Sequence, residues 1–304
     1  MTDSNGPIGF VGLGLMGAAM AENMLAAGND LVVWNRSDAA ADRLRELGAD
    51  RATTTAGLSR CTVLIFMLPD LPHIEACING ADGLLAAWDA TPPAPGTILV
   101  VMSSVSPTGI QEFASRIERR FAGAATVVDA PVSGGTGGAI SGSLAIMVGA
   151  EAADFDRLHP LLSSMGTTIR HMGPVGSGSL AKACNQVVVG VTTAAIAEAV
   201  LLAERSGLDV ASLLEVLGGG LAGSNVLETM GPRFLSRDYA PAGPAAFMSK
   251  DLGFVEEAAA ATGTATPVST SASTLYRQLV ARGFGASDLS VVHRLLGELS
   301  TPAS

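Results

Sequence analysis

The sequence predicts an α/β domain with a doubly wound, mainly parallel sheet, followed by an all-α domain. Three observations support this prediction. The first half alternates short apolar runs, typical of buried strands, with helical segments. After about Gly173 every periodic segment is helical, and the glycine-rich stretch Gly173–Gly178 separates the two patterns. We therefore expect a first domain over residues 1–174 and a second over residues 175–304.

Six segments are predicted as strands because they are short apolar runs rich in β-branched residues. Their apolar residues are continuous rather than alternating, so helices should cover both faces of the sheet. The predicted strands are Pro7–Val11, Asp30–Trp34, Val63–Leu68, Thr97–Met102, Ala125–Asp129 and Ser143–Val148. The helices predicted between or after them are Met16–Ala27, Ala39–Leu47, Pro107–Arg119 and Ala153–Leu162.

The second half is predicted to be helical throughout, because its apolar residues recur at helical spacing. Its longest segment contains the apolar stretch Val187–Ala203, which is marginal in length for a membrane span and includes Glu198. We expect a buried or interface helix there. The predicted helices are Ser179–Ser206, Val210–Leu217, Asn225–Phe234, Lys250–Thr262, Pro267–Arg282 and Leu289–Leu299.

Composition excludes several classes of protein. The chain has 304 residues, of which 48% are hydrophobic and 15% charged, as expected for a globular protein with a large core and not for a disordered chain. Its formal net charge is -10 and it contains no basic run, so neither nucleic acid nor a membrane is an expected partner. No signal-peptide pattern opens the sequence, and we expect a cytoplasmic protein.

Cysteine and histidine usage points to neither disulfides nor metal. Cys61, Cys77 and Cys184 are odd in number, far apart and set in apolar sequence, which predicts reduced, buried thiols. The four histidines form no pair with ligand-like spacing, and no CxxC motif occurs. We expect no protein-bound metal.

A glycine-rich motif stands between the first strand and the first helix. The run Gly12-Leu13-Gly14-Leu15-Met16-Gly17 fits G-x-G-x-x-G in the context that this fingerprint requires. The first glycine permits the tight turn, the second lets the backbone approach a pyrophosphate, and the third allows close packing of helix on strand. The motif predicts a dinucleotide site, the alternative being a glycine-rich turn without a ligand.

The end of the second strand favours NADPH over NADH. An acidic residue there would bind the ribose hydroxyls of NAD, but this chain has Asn35-Arg36-Ser37. Arg36 can bind a 2′-phosphate with two parallel hydrogen bonds, and Ser37 can add a hydroxyl donor. The alternative is that Arg36 is a solvated surface residue.

Three further segments follow strand ends, where ligands bind in open α/β sheets. Met67-Leu68-Pro69 and Ser103-Ser104 are two of them, and ordinary turns are the alternative for both. In the third, Ser133-Gly134-Gly135, a hydroxyl and backbone N–H groups can bind one carboxylate. The alternative for this third segment is a flexible loop.

Lys182 is the only charged residue between Arg170 and Glu198. Burial in this apolar stretch would disfavour the ammonium form, so we expect a lowered pKa that lets the amine exchange protons near neutrality. Asn185 and Gln186 follow three and four residues later and should share its helix face. The alternative is a lysine with a buried stem and a solvated head.

These motifs together resemble the β-hydroxyacid dehydrogenases, a group that contains 3-hydroxyisobutyrate dehydrogenase and tartronate semialdehyde reductase. The matching segments occur in the family's order over nearly the whole chain, which is more specific than any single motif. They are Gly12–Gly17, Asp129–Gly135 with Gly142-Ser143-Leu144 and Met147-Val148-Gly149, Gly176–Gln186, and Lys250-Asp251-Leu252.

The resemblance implies a Rossmann-type N-terminal domain, an all-helical C-terminal domain, a site between them, and a homodimer or homotetramer. It assigns catalysis to Lys182 and substrate orientation to Asn185. It places Ser133–Gly135 on the carboxylate-binding loop, and Ser104 and Lys250 against the nicotinamide cofactor. The alternative for Lys250 is a surface lysine that precedes an aspartate capping a helix.

The sequence departs from the family pattern at a few positions. Gln186 replaces a second asparagine common in the wider family, and like that residue we expect it to contact the substrate. Val101 stands where many relatives have an aspartate. Gln186 and the segment Gly219–Ser224 resemble the tartronate semialdehyde reductase branch, whereas Ala246–Ser249 is more apolar than expected there.

The implied reaction is reversible hydride transfer between NADPH and a small carboxylate-bearing 3-hydroxy acid or its semialdehyde. The branch resemblance favours 2-hydroxy-3-oxopropanoate, reduced to D-glycerate. Another 3-hydroxy acid, such as 3-hydroxyisobutyrate, is the nearest alternative. Imine reduction and a non-catalytic NADP-binding scaffold are further alternatives, but imine reductases usually lack both the Asp129–Gly135 pattern and a lysine at the position of Lys182.

Overall fold

The structure is a computed structural model that describes residues 6–300. The chain forms two compact units, the first ending at Lys182 and the second beginning at Ala183. This division falls inside a helix that begins at Ser177 and runs without a break to Arg205. The boundary predicted from the sequence, after residue 174, lies just before that helix and remains a prediction.

The first unit is a sheet with helices on both faces. Within its described residues the sheet has nine strands: β1 (Ile8–Val11), β2 (Leu31–Trp34), β3 (Asp50–Arg51), β4 (Val63–Phe66), β5 (Thr97–Val101), β6 (Ala125–Asp129), β7 (Val132–Ser133), β8 (Leu144–Gly149) and β9 (Gly166–Gly173). Its helices are α1 (Gly17–Ala26), α2 (Asp38–Glu46), α3 (Leu71–Ile78), α4 (Leu84–Ala90), α5 (Pro107–Arg120), α6 (Gly135–Ser141) and α7 (Ala152–Leu162).

The strand order confirms the predicted doubly wound sheet. The order is β3-β2-β1-β4-β5-β6-β8-β7, with β9 paired to β8. Strands β1 to β6 are parallel, and β8 runs antiparallel to β6 and β7. The chain crosses from β2 and β3 on one side of β1 to β4 on the other. The carboxyl ends of β1 and β4 therefore flank the switch point where such sheets bind ligands.

Strand β4 shows why the predicted strands are continuously apolar. Val63 and Ile65 pack into the core on one face of the sheet, and Leu64 and Phe66 into the core on the other. All four side chains are buried. A strand covered on both faces has no solvent side, so it has no polar positions to alternate with.

The second unit is all-α, as predicted. It contains most of α8 (Ser177–Arg205), followed by α9 (Val210–Gly219), α10 (Asn225–Ser236), α11 (Ala245–Thr262), α12 (Pro267–Ala281) and α13 (Val292–Leu299). Side-chain caps fix two of the helix starts. Asp209 accepts a hydrogen bond from the Ser212 backbone N–H (2.9 Å), and Ser224 accepts one from that of Leu227 (3.1 Å). Phe234 and Tyr276 are fully buried in its core.

Helix α8 is long and apolar enough to cross a membrane by length and composition alone. Its most apolar 18-residue window has a mean hydropathy of 1.9, and 44% of that window is buried inside the protein. A core helix of a globular domain has the same properties. The prediction of a buried or interface helix therefore remains a prediction.

The elements that the sequence did not predict are short or polar. Strands β3 and β7 have two residues each. Strand β9 is exposed at five of its eight positions, so it has no apolar run despite pairing with β8 along its length. Helix α6 has a glycine-rich sequence of low helix propensity. Helix α11 begins at Ala245, five residues before the predicted start.

One of the three cysteine predictions is wrong. All three thiols are free, and Cys61 is buried and Cys77 half-buried, but Cys184 is exposed. Its neighbours on α8, Ala183 and Gln186, point into the second unit. Each helical residue is rotated by about 100° from the one before it, so Cys184 falls on the outward side. Apolar sequence around a residue does not by itself place that residue inside.

Candidate active site

The glycine motif forms the turn between β1 and α1. Gly12 has a φ of +99°, and a Cβ there would collide with the backbone of Met67 at the end of β4. A Cβ on Gly17 would collide with the carbonyl of Gly12. A Cβ on Gly14 would meet nothing within 4 Å. The outer glycines therefore allow close packing, while Gly14 leaves an open backbone surface at the N-terminus of α1, which suits a pyrophosphate.

Asn35 ties the end of β2 to this turn. Its Oδ1 accepts a hydrogen bond from the Leu13 backbone N–H (3.0 Å), and its Nδ2 donates to the carbonyl oxygen and the hydroxyl of Ser37, both at 3.0 Å. Arg36 and Ser37 are exposed beside it. Burial raises the pKa of the Cys77 thiol on α3, and the positive charge of Arg36 offsets part of that rise. An exposed cation at this strand end fits a phosphate-bearing cofactor.

A buried serine joins the ends of β4 and β5. The Leu68 backbone N–H donates to the hydroxyl of Ser103 (2.9 Å), which is 1% exposed. Ser104, the residue predicted to contact the cofactor, is half-buried, and Pro69 is exposed. Ser103 therefore supports the turn after β4, whereas the cofactor contact was predicted for its neighbour Ser104.

The predicted carboxylate loop is held by glycine-specific backbone geometry. Ser133 lies in β7 opposite Ala145, and Gly134 and Gly135 have φ values of +136° and +60°. Side chains other than hydrogen are disfavoured at such angles. Helix α6 begins at Gly135, so its first backbone N–H groups adjoin Ser133. The loop can present one hydroxyl and several N–H donors to an anion.

Asp129 anchors the start of α8. It is fully buried at the end of β6, and its carboxylate accepts backbone hydrogen bonds from Gly176 (2.7 Å) and Ser179 (2.6 Å). Any Cβ on Gly149 or Gly178 would collide with this arrangement. Burial raises the pKa of Asp129, and the two backbone N–H groups lower it in part. The carboxylate also caps the positive end of a 29-residue helix.

Lys182 follows Ser179 by three residues on this anchored helix, and Asn185 follows Lys182 by three more. Residues at this spacing lie on one helix face. Both side chains are half-buried. The chain has only two lysines, Lys182 and Lys250, and the family resemblance assigns a site role to each of them.

A second set of hydrogen bonds lies within the helical unit. Gln186 is 8% exposed; its Nε2 donates to Oδ2 of Asp251 (2.7 Å), and its Oε1 accepts from Nδ2 of Asn185 (2.9 Å). Lys250 Nζ lies 3.1 Å from Oδ1 of Asp251 and 5.1 Å from the centre of the Phe254 ring. The predicted residues Asn185, Gln186 and Lys250 are thus joined through Asp251. The alternative role of Asp251 as a helix cap is wrong, because α11 begins six residues earlier, at Ala245.

Several of the predicted site residues fall into two groups, which do not include Lys182, Ser104 or the loop Ser133–Gly135. In the first unit, hydrogen bonds and close packing bring together the glycine motif, Asn35 and the end of β4. In the second, Asp251 joins Asn185, Gln186 and Lys250. Sequence reasoning named Ser103, Asp129 and Asp251 only as members of longer motifs and missed the contacts that each of them makes. The sequence carried no specific signal for these contacts, because their partners lie 35 to 65 residues away along the chain.

Comparison with known proteins identifies the family of the chain. Residues 7–173 match the family model described as the NAD binding domain of 6-phosphogluconate dehydrogenase. Residues 176–296 match the one described as NAD-binding of NADP-dependent 3-hydroxyisobutyrate dehydrogenase. The chain belongs to the β-hydroxyacid dehydrogenase family. It is accordingly an NAD(P)-dependent oxidoreductase of the 3-hydroxyacid dehydrogenase type, acting on CH–OH groups.

Individual β-hydroxyacid dehydrogenases differ in the substrates that their names state. The NAD-dependent L-serine dehydrogenase of Pseudomonas aeruginosa is 39% identical over 95% of this chain and 97% of its own. The 2-hydroxy-3-oxopropionate reductase of Escherichia coli is 34% identical over 95% and 96%. The structure of Mycobacterium tuberculosis 3-hydroxyisobutyrate dehydrogenase with L-serine is 33% identical, with a TM-score of 0.80 over 95% of this chain and 98% of that one.

Proposed function

We propose that this chain is an NADP(H)-preferring dehydrogenase of short 3-hydroxy acids, with Lys182 as its acid–base group. The anchoring of α8 supports the proposal most directly. The buried carboxylate of Asp129 fixes the first turn of the helix, and Lys182 and Asn185 follow on the next two turns. A proton-transfer group must be held to within fractions of an ångström, and a capped helix provides that rigidity.

In the proposed reaction the chain moves a proton while the cofactor moves a hydride. A nicotinamide dinucleotide whose pyrophosphate is held at Gly12–Gly17 would supply the hydride in reduction and accept it in oxidation. Lys182 donates a proton to the developing alkoxide during reduction. During alcohol oxidation the neutral amine removes the hydroxyl proton. Asn185 holds the reacting oxygen beside the Lys182 amine.

The substrate carboxylate is assigned to the loop Ser133–Gly135. Its hydroxyl and N–H donors bind an anion without a buried positive charge. Fixing the carboxylate also fixes the distance from C1 to the reacting carbon. A substrate that carries its hydroxyl on C3 is then selected over one that carries it on C2.

The names of the relatives point to one class of substrates but not to a single substrate. D-glycerate, L-serine and 3-hydroxyisobutyrate are all 3-hydroxypropanoates that differ in the group on C2: hydroxyl, amino or methyl. We propose 2-hydroxy-3-oxopropanoate and D-glycerate as the physiological pair, on the branch resemblance of Gln186 and Gly219–Ser224. L-serine oxidation is the second candidate, favoured by the 39% identical relative.

The first experiment measures the reaction with a panel of substrates. Reduction of 2-hydroxy-3-oxopropanoate and of methylmalonate semialdehyde, and oxidation of D-glycerate, L-serine and 3-hydroxyisobutyrate, are followed by nicotinamide absorbance with NADP(H) and NAD(H). We expect the highest kcat/KM for 2-hydroxy-3-oxopropanoate with NADPH. A higher value for L-serine would move the assignment to the second candidate. No turnover of any acid, with NADPH still bound, would contradict the proposed function.

The cofactor preference is tested by Arg36→Ala. A charge-assisted hydrogen bond contributes about 1.5–3 kcal/mol, so KM for NADPH should rise by about 10-fold to 100-fold while KM for NADH changes little. Arg60→Ala is the matched control, because Arg60 is also an exposed arginine of the first unit and pairs with Asp50 (3.7 Å). Equal effects of Arg36→Ala on both cofactors would remove Arg36 as the phosphate ligand.

We also propose that the protein forms a homodimer or homotetramer through its helical unit. None of the residues of α9 is buried, although the helix is largely apolar. Leu202, Val216 and Leu221 are 69%, 72% and 109% exposed. A water-soluble chain rarely leaves such side chains uncovered together. Sedimentation velocity should give twice or four times the chain mass of 30.6 kDa, and a single-chain mass would contradict the proposal.

A further inference from the structure

We propose that Asp251 is a positioning residue that sets the orientation of the Asn185 side-chain amide, acting through Gln186. The inference rests on the proposed function, because that function gives Asn185 its role toward the substrate. It assigns Gln186 a role as well: a relay between two residues rather than a substrate ligand.

The chemistry of the donors and acceptors gives the relay a direction. An ionised carboxylate only accepts hydrogen bonds, so Gln186 must turn its Nε2 toward Asp251, at 2.7 Å. Its Oε1 is then left facing Asn185, whose Nδ2 donates to it at 2.9 Å. The Asn185 amide is therefore turned so that Oδ1 points away from Gln186. A hydroxyl-bearing ligand would meet this oxygen as an acceptor.

The environment leaves Gln186 no alternative orientation. Its side chain is 8% exposed, and that of Asp251 is 6% exposed, so water cannot replace the hydrogen bonds between them. Gln186 Nε2 also donates a long hydrogen bond to the sulfur of Met248 (4.0 Å), a weak acceptor that favours the same orientation. A reversed amide would place its carbonyl oxygen against the carboxylate in a buried site, which is strongly unfavourable.

Lys250 contacts Asp251 at the end of the relay opposite to Asn185. Its ammonium lies 3.1 Å from Oδ1 of Asp251 as an ion pair, whereas Oδ2 accepts the hydrogen bond from Gln186. Oδ1 is buried and accepts no hydrogen bond of its own, so the Lys250 charge is the interaction that compensates it. The chain of contacts therefore runs from Lys250 through Asp251 and Gln186 to Asn185. It joins two helices, α11 and α8, within the helical unit.

The proposal is tested by exchanging donor and acceptor in the hydrogen bond between Gln186 and residue 251. In Asp251→Asn the Lys250 ammonium, 3.1 Å from the position of Oδ1, favours the amide oxygen there over an NH₂ group, so the NH₂ group of the new side chain faces Gln186. Gln186 then turns over, and Asn185 with it. We expect kcat to fall by about tenfold, as for a modest misplacement of a substrate-orienting group. In Gln186→Glu two carboxylates face each other, and kcat should fall by about 100-fold.

Combining Asp251→Asn with Gln186→Glu should restore the original direction. In this double variant the NH₂ group at position 251 would donate to one oxygen of the carboxylate at position 186. The other oxygen of that carboxylate would accept from Asn185, as Gln186 does in the parent. Independent losses multiply, to about 1000-fold here, whereas we expect the double variant to recover to within about tenfold of the parent. Gln278→Glu and Asp89→Asn, which change the same residue types elsewhere, should leave kcat unaltered.

A second readout separates this inference from the proposed function. In ¹⁵N-labelled protein, the side-chain amide signal of Asn185, assigned by its loss in Asn185→Ser, should move in each single variant and return in the double variant. A parent that reduces no 3-hydroxy acid precursor would overturn the proposed function, while this signal still tests the relay. Multiplicative losses in kcat, or an Asn185 signal unchanged in all variants, would overturn the relay.

Discussion

Two buried carboxylates hold helix α8, and they hold it in different ways. Asp129, in the first unit, accepts two backbone N–H groups from the beginning of the helix. Asp251, in the second unit, bonds to a side chain, that of Gln186, and pairs with Lys250. Asp129 therefore fixes where the helix begins, whatever side chains it bears. Asp251 fixes the orientation of one amide.

The difference separates two requirements that are easily confused. A reacting group needs a support that stays in place, and its partner groups need the correct orientation of donors and acceptors. The first requirement is met by backbone contacts and affects stability. The second is met by side-chain contacts and affects turnover more than stability.

The largest expected effect is on turnover, when Lys182 is replaced. Lys182→Ala should lower kcat by about 10²-fold to 10⁴-fold, the usual contribution of a positioned acid–base group, without weakening NADPH binding. Lys182→Arg is the matched control, because a guanidinium keeps the charge but stays protonated, so alcohol oxidation should remain lost. Steady-state kinetics and NADPH fluorescence titration give the two quantities. Near-normal turnover in Lys182→Ala would contradict the proposal that Lys182 is the acid–base group.

Asp129→Asn should produce the largest loss of stability. An asparagine can accept only one of the two backbone hydrogen bonds through its oxygen, and its NH₂ group would face the other N–H. The loss of a charge-assisted hydrogen bond at a buried site costs about 2–3 kcal/mol. Urea denaturation followed by circular dichroism should show a lower midpoint. An unchanged midpoint would mean that the start of α8 does not depend on this carboxylate.

Asp251→Asn should cost less stability than Asp129→Asn, about 1 kcal/mol, because Gln186 can turn over and keep a hydrogen bond. The same denaturation measurement checks it, and kcat is measured on the same samples. The comparison predicts a stability-dominated defect at Asp129 and a turnover-dominated defect at Asp251. If the ratio of the loss in kcat to the loss in free energy of unfolding were equal in Asp129→Asn and Asp251→Asn, the two carboxylates would have the same role.

The smallest expected effect is the pH dependence of the stability that Asp129 confers. Burial raises its pKa in the folded chain, so its contribution is full below about pH 4, the ordinary pKa of an aspartate, and is lost as the pH rises through the raised value. The difference in free energy of unfolding between the parent and Asp129→Asn should therefore shrink across that window.

Asp209 supplies a control of opposite sign. Hydrogen bonds from Ser212 lower the pKa of this exposed helix cap, so its contribution is present above the ordinary pKa and is lost as the pH falls. The difference between the parent and Asp209→Asn should grow with pH. If the Asp129 difference also grew, the backbone N–H groups would outweigh burial at that carboxylate.

Much of the fold was predictable because it follows from local pattern. Continuous apolar runs such as Val63–Phe66 mark strands that are covered on both faces, and helical spacing marks the second unit. Strand β9 was not predictable, because it pairs with β8 through its backbone while most of its side chains face solvent. A strand with exposed, polar side chains lacks the hydrophobic pattern from which strands are predicted.

The candidate site shows the same limit. Glycine spacing and the isolated lysine are local features. The first predicted the turn between β1 and α1, and the second singled out Lys182, the residue assigned to proton transfer. The roles of Asp129 and Asp251 depend on partners 47 to 65 residues away along the chain. Such contacts are created by the tertiary fold, and single-sequence patterns do not contain them.

The scarcity of lysine has a practical consequence. Reductive methylation with ¹³C-formaldehyde modifies primary amines, and this chain offers only Lys182, Lys250 and its α-amino group. A carbon-detected spectrum of the methylated protein would therefore contain very few signals, and those of the two lysines report from the predicted site. Titrating them would give the protonation state of each amine directly, with no other lysines to obscure the result.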